Sequence, residues 1–255
     1  MMNHSIEVRD LYKTFRFGKG HKTFYDMLDK YLIKPVKKTE SKHSDIFYAL
    51  KGINIAVRKG EKIALVGDNG SGKSTLLKTI AGLYRPNQGK VIVNGKMVLL
   101  AGFGVGMMND LTIEENLYLY GAVYGMDRET IRSKIDDILD WAELREFFKA
   151  QYKTLSSGRR TRIAFSATRH IEADIYLLDE ALTAGDKSFR HKCDAYFESN
   201  KHTDKTFIIA THSLDFVKKF CDKALWLSRG NQVAFGDIHQ VLDDYEKQGS
   251  LLCAE

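Results

Sequence analysis

The sequence predicts an α/β fold with a helical insertion, and three observations carry that reading. Short apolar and β-branched runs, "KIALVG" (62–67), "DIYLLDE" (174–180), "TFIIATH" (206–212) and "KALWLSRG" (223–230), read as buried strands with helices between them. A glycine-rich loop, "GDNGSGKST" (67–75), joins the first of these runs to a helix. From residue 112 the character changes, and 112–169 read as helices inserted into the α/β core. At 255 residues the chain is long enough for one large α/β domain, or for a core with a modest subdomain.

The elements follow in order. "IEVRDLYKTF" (6–15) reads as a strand, and "YALKGINIAVRKGE" (48–61) as another that ends in a turn. "KSTLLKTIAGL" (73–83) is a helix, "YRPNQG" (84–89) a turn and "KVIVNG" (90–95) a strand. In "TIEENLYLYGAVYG" (112–125), Thr112 has Glu115 three residues on, the pattern of a capping box. "DRETIRSKIDDILDWA" (127–142) sets Ile131, Ile135, Ile138 and Ala142 on one helical face. A short amphipathic helix, "DIHQVLDDYEKQ" (237–248), comes near the end.

Composition narrows the classes. The longest near-apolar stretch, "MVLLAGFGVGMM" (97–108), is too short to cross a bilayer and holds three glycines. The start has no apolar run of the signal-peptide kind. Cys193, Cys221 and Cys253 are widely spaced and read as free thiols of a reducing compartment. Residues 12–43 carry nine lysines and arginines against three acids, an excess equal to the +6 of the whole chain. Within them, Phe24, Met27, Leu28, Tyr31 and Leu32 recur at helical spacing before Pro35, with Lys30, Lys34, Lys37 and Lys38 crowding the end. An apolar face beside a lysine cluster suits a membrane subunit next to an anionic leaflet, or else packing onto the protein's own core.

The chemistry sits in a few short stretches. "GDNGSGKST" fits G-x-x-x-x-G-K-[ST] between a buried strand and a helix, so it binds a nucleoside triphosphate. Gly67, Gly70 and Gly72 let the backbone wrap phosphates, with Asp68, Asn69 and Ser71 between them. Lys73 is expected to reach the β- and γ-phosphates, Ser74 to ligate Mg²⁺ and Thr75 to add a phosphate hydrogen bond. Asp179 and Glu180 end a buried strand with diverging side chains. Asp179 can hold Mg²⁺ while Glu180 polarises the attacking water as general base. His212 ends a further strand and could bond the γ-phosphate or orient that water. In "LSSGRRTRIAFS" (155–166), small residues head a basic helix, the setting of an anion site.

The phosphate loop, LSSG, YLLDE and the strand-end histidine follow in the order and spacing of ABC-type ATPases, and the chain resembles that family along nearly its whole length. The resemblance implies a P-loop NTPase (RecA-like) core with an antiparallel β-subdomain and an inserted helical subdomain. One domain would span 1–255. Its core would be 1–111 and 170–236, with 16–47 a basic amphipathic insertion, 112–169 the helical part and 237–255 the tail. It also implies a head-to-tail homodimer in which Ser156, Ser157 and Gly158 cap the ATP of the partner. Asp186 would be the acid of the loop linking the two sites, and Phe15, with Tyr12 second, the ring stacked on adenine.

A narrower likeness is visible. "LSSGRRTRIAFS", "YLLDEALTAGDKSFRHKC" and "GFGVGMMNDLTIEENLYLY" are similar to ATPase subunits of bacterial exporters of O-antigen, capsule and teichoic acid. That likeness implies ATP and Mg²⁺ as cofactors and a peripheral place on the cytoplasmic face of the inner membrane. Two copies of a separate permease would handle the polysaccharide, with no part for nucleic acid. Another transporter's ATPase, or a non-transport ABC ATPase, is the alternative. Two positions depart from the wider family. No glutamine occurs between Gln88 and Gln151, where many members place one to sense Mg²⁺, and Arg159 stands where many have glutamine.

Overall fold

The computed structural model describes residues 4–16, 46–101, 106–179 and 187–252. Its strands are β1 (His4–Arg16), β2 (Ile46–Arg58), β3 (Lys62–Val66), β4 (Gln88–Val93), β5 (Met97–Ala101), β6 (Ile175–Asp179), β7 (Thr206–Ala210), β8 (Lys223–Ser228) and β9 (Asn231–Asp237). The helices are α1 (Lys73–Ile80), α2 (Ile113–Val123), α3 (Arg128–Ala142), α4 (Ser157–Thr168), α5 (Lys187–Asn200), α6 (Leu214–Phe220) and α7 (Ile238–Leu252). The lysine-rich stretch with Phe24 and Tyr31 lies outside the described residues, as do Glu180, Asp186 and Cys253.

The strands form one curled sheet in the order β4-β1-β2-β9-β8-β3-β7-β6-β5. From β8 through β3, β7 and β6 to β5 every pairing is parallel. At the other end β1 runs antiparallel to both β2 and β4. The β8–β9 hairpin joins the two parts, since β9 is antiparallel to β8 and meets β2 at Lys51 and Asn231. The strands β5 and β9 go beyond the sequence reading. The glycines after β5 masked it as part of one apolar run, and β9 is half exposed with a weak period.

Side chains of the parallel strands alternate between two cores, as a sheet covered on both faces requires. Ile63, Leu65, Leu177, Ile208 and Leu225 point to one face, where α1 packs with Leu76, Leu77 and Ile80 against Ile6, Val8 and Leu11 of β1. Ala64, Val66, Tyr176, Leu178, Phe207 and Trp226 point to the other, which is covered by the remaining helices. There Trp141 of α3, Phe165 of α4 and Phe189 of α5 meet with ring centroids 4.9–6.4 Å apart. These rings join the inserted helices to the core.

Between β5 and β6 the described elements are helical apart from an isolated bridge, Thr112 to Gln151. The capping box forms as read: the Thr112 hydroxyl accepts from Glu115 N–H, and the Glu115 carboxylate accepts from Thr112 N–H. Helix α3 buries Ile131, Ile135, Ile138 and Ala142, with Leu139 beside them. Fully buried Asn116 accepts from Met108 N–H at 2.6 Å and donates to the carbonyls of Met108, Leu111 and Thr112, which holds the approach to α2. Cys193 and Cys221 are buried free thiols whose pKa values burial raises. No helix among the described residues is long and apolar enough to cross a membrane.

Candidate nucleotide-binding site

Strand β3 is buried along its whole length and delivers the chain to Gly67 at the carboxyl edge of the sheet. Helix α1 begins at Lys73, with Gly72 at its N-cap and no side chain capping it. The first N–H groups of α1 therefore keep their positive potential for a ligand. Lys73 is buried, and its ammonium donates to Gly67 O at 2.5 Å and Asp68 O at 3.0 Å. Ser71 N–H donates to the same Asp68 carbonyl at 3.1 Å. The loop is thus closed on itself around the lysine.

Its seat comes from distant segments. Gly67 has φ +137, and a Cβ there would lie 2.1 Å from Leu227 O of β8, so no other residue fits. Ser71 O accepts from Gly230 N–H at 2.9 Å, and Gly230 O accepts from Lys51 N–H of β2 at 2.8 Å. Gly230 itself has φ +82, and its Cβ would meet Ala49 O at 2.8 Å. The β8–β9 turn is therefore wedged between β2 and the phosphate loop. A cavity of about 200 Å³ opens beside the loop. Phe47 and Ala49 form one wall, and Asn69, Gly70, Gly72 and the first turn of α1 through Thr75 form the other. Its size and the donors along it suit a phosphate chain.

The strand order brings two more predicted residues to this edge. β7 lies between β3 and β6, with Ala210 in register with both Leu65 and Asp179. Asp179 ends β6 and is 7% exposed. Exposed His212 follows Ala210 by two residues, after buried Thr211, whose hydroxyl accepts from Ser213 N–H at 3.2 Å. The phosphate loop, Asp179 and His212 thus stand on three adjacent strand ends.

Other predicted residues lie elsewhere. Ser156 is the N-cap of α4, accepting from Arg159 N–H at 3.4 Å, with Ser157 and Gly158 as the first helical residues. None of the three lines the cavity beside the phosphate loop. The basic residues behind them serve local structure: Arg159 stacks 4.2 Å over Phe147, and Arg160 donates to the carbonyls of Leu155 and Lys153. Phe15 sits on β1 in register with Phe47, its ring edge-on to Tyr84 at 5.4 Å. The Tyr12 hydroxyl approaches Gly52. The ring on the cavity wall is that of Phe47, which the sequence reading passed over. Its signal was faint: three apolar residues, Ile46, Phe47 and Tyr48, stay exposed at the start of β2. Gly230 was also missed, although "SRGN" is a turn signal between two strands.

Fold and loop together define a P-loop nucleotide-binding α/β domain. Comparison with known proteins narrows this. Residues 50–183 match the model of the ABC transporter family. The chain is 35% identical over 254 residues to the O-antigen export system ATP-binding protein RfbB of Myxococcus xanthus, covering 98% of this chain and 57% of that protein. It is 37% identical over 246 residues to the teichoic acids export ATP-binding protein TagH of Bacillus anthracis, covering 96% and 43%. TagH of Listeria monocytogenes is 34% identical over 90% of this chain and 68% of its own. Among solved structures, the ATP-binding cassette MJ0796, a dimer in a post-hydrolysis state bound to ADP and Pi, superposes with a TM-score of 0.71 at 23% identity. That match covers 91% of this chain and 98% of the other, and it shows the fold. The chain belongs to the ABC transporter family and is an ATP-binding cassette. It spans about half the length of the first two relatives.

Proposed function

We propose that this chain hydrolyses ATP to drive export of a polysaccharide, such as O-antigen, capsule or teichoic acid, through a separate membrane subunit. The observation that carries the reading is the meeting of the phosphate loop, Asp179 and His212 on the adjacent ends of β3, β6 and β7. The names of the relatives from Myxococcus xanthus and Bacillus anthracis support polysaccharide as the cargo. In this reading the loop from Gly67 to Thr75 holds the triphosphate, with Phe47 or Phe15 beside the base. Mg²⁺ would be held by Ser74 and Asp179 and would neutralise charge on the β- and γ-phosphates. Glu180 takes a proton from the attacking water, and His212 orients that water or the γ-phosphate.

The chain works as a homodimer beneath two permease copies on the cytoplasmic face of the membrane. Ser156, Ser157 and Gly158 then meet the ATP of the partner, and Asp186 links the two sites. This accounts for their distance in sequence from the groups they serve. Glu180→Gln tests the chemistry. It should bind ATP normally, hydrolyse it about 10²-fold more slowly or worse, and accumulate as an ATP-bound dimer on size exclusion. Turnover near that of the unaltered protein would remove Glu180 from the role of base. Co-purification tests the setting: a polytopic membrane protein should accompany the tagged chain, and ribosomes or DNA in its place would point to a non-transport ATPase.

A further inference from the structure

Glu143 stands where a glycine would be at ease. It closes α3 with φ +59, a left-handed backbone that side chains other than that of asparagine adopt only at a cost. What the position keeps in return is a carboxylate. It accepts from the Arg162 guanidinium of α4 at 3.0 Å and from the Lys192 ammonium of α5 at 2.6 Å. Lys192 also donates to Trp141 O, in the last turn of α3, at 3.3 Å. Arg162 lies 5.2 Å over the Phe189 ring of α5, and its side chain is only 14% exposed. The end of one helix thus holds the sides of two others. Arg162 is five residues past Ser157, and Lys192 is six past Asp186, which directly precedes α5 in the chain.

We infer that Glu143 is a positioning residue for the shared site: it fixes α4 against α5, and with that the placement of the LSSG turn that meets the ATP of a second copy. The rings of Trp141, Phe165 and Phe189 bring α3, α4 and α5 together. Apolar contact is non-directional, however, and tolerates one helix sliding along another. Two charge-assisted hydrogen bonds on one carboxylate set direction as well as distance. A lone exposed ion pair would add little, but here three helices share one acceptor and Arg162 is pressed onto a ring. The Lys192 ammonium first, and Arg162 after it, hold the Glu143 carboxyl below the ordinary glutamate value, so the charge is in place at neutral pH.

This role rests on the reading that a second copy completes the site, and the test separates the two. Glu143→Gly removes the link and puts the favoured residue in the left-handed position, so Tm should hold or rise. The full-length variant should bind a fluorescent ATP analogue as the unaltered chain does, because the phosphate loop is untouched. In the Glu180→Gln background, by contrast, ATP-driven dimerisation measured by sedimentation should weaken about threefold to tenfold, the worth of a directed ion pair. Lys192→Met should weaken it by a similar factor, and the two substitutions together by little more than either alone. Unchanged dimerisation in Glu143→Gly, a loss that comes with a fall in Tm, or full additivity with Lys192→Met overturns the inference and leaves the shared site standing. Failure of Glu180→Gln alone to dimerise with ATP removes the shared site itself, and this inference with it.

Discussion

Lys73 illustrates how a buried charge is accommodated. Its ammonium is 6% exposed as a residue yet meets two carbonyls of its own loop, so burial does not leave it unsatisfied. The geometry demands small residues in two unrelated places, at Gly67 in the loop and at Gly230 in the β8–β9 turn. Gly230→Ala would put a methyl carbon against Ala49 O in a left-handed backbone, at a cost of about 1–2 kcal/mol. It should also loosen the Gly230 N–H bond to Ser71 O. The expected outcome is a lower urea midpoint together with weaker binding of an ATP analogue. A variant that loses neither would show that the turn does not seat the loop.

At the scale of elements, the inserted helices depend on their ends and on one aromatic contact. The Thr112–Glu115 box satisfies two donors at the start of α2, and Thr112→Ala should cost about 1 kcal/mol and about 2–4 °C in Tm. The Glu115 carboxyl is held below the ordinary glutamate value, first by Thr112 N–H and then by the Thr112 hydroxyl. A carboxyl depressed on folding stabilises at pH above its ordinary value and loses that effect as pH falls through the folded one. The difference in Tm between the unaltered chain and Glu115→Gln should therefore be full near neutral pH and shrink below about pH 4. A difference that did not change with pH would exclude the ionised box. Farther on, Glu143 closes α3 in a left-handed conformation and accepts from both Arg162 of α4 and Lys192 of α5. That surface link reinforces the buried contact of Trp141, Phe165 and Phe189.

At the scale of the molecule, the sheet places the phosphate loop, Asp179 and His212 together and leaves the LSSG turn at the exposed start of α4. Such a division of parts suits a site completed by a second copy. Two inactive variants make the test. Lys73→Ala damages the phosphate loop, and Ser157→Arg blocks the α4 turn. Mixed, they should recover part of the ATPase activity, because each mixed dimer keeps one site with both halves intact. No recovery, in a sample where mixed dimers are demonstrably present, would defeat a shared site that can act singly.

The sequence by itself determined what depends on near neighbours. Gly67 to Thr75 adopt a phosphate loop and a helix start because glycine spacing and Lys73 act within nine residues. Thr112 with Glu115, and the face of Ile131, Ile135 and Ile138, were equally legible, since one turn of helix sets their contacts. The tertiary structure alone decided which distant groups share the site. Phe47 on the cavity wall and the Gly230 turn under Ser71 are about 22 and 159 residues from Asn69 and Ser71, the loop residues they stand beside. They meet because β9 and β8 lie between β2 and β3. Strand order arises from pairing and burial summed over the whole sheet, and no short window of sequence contains that sum.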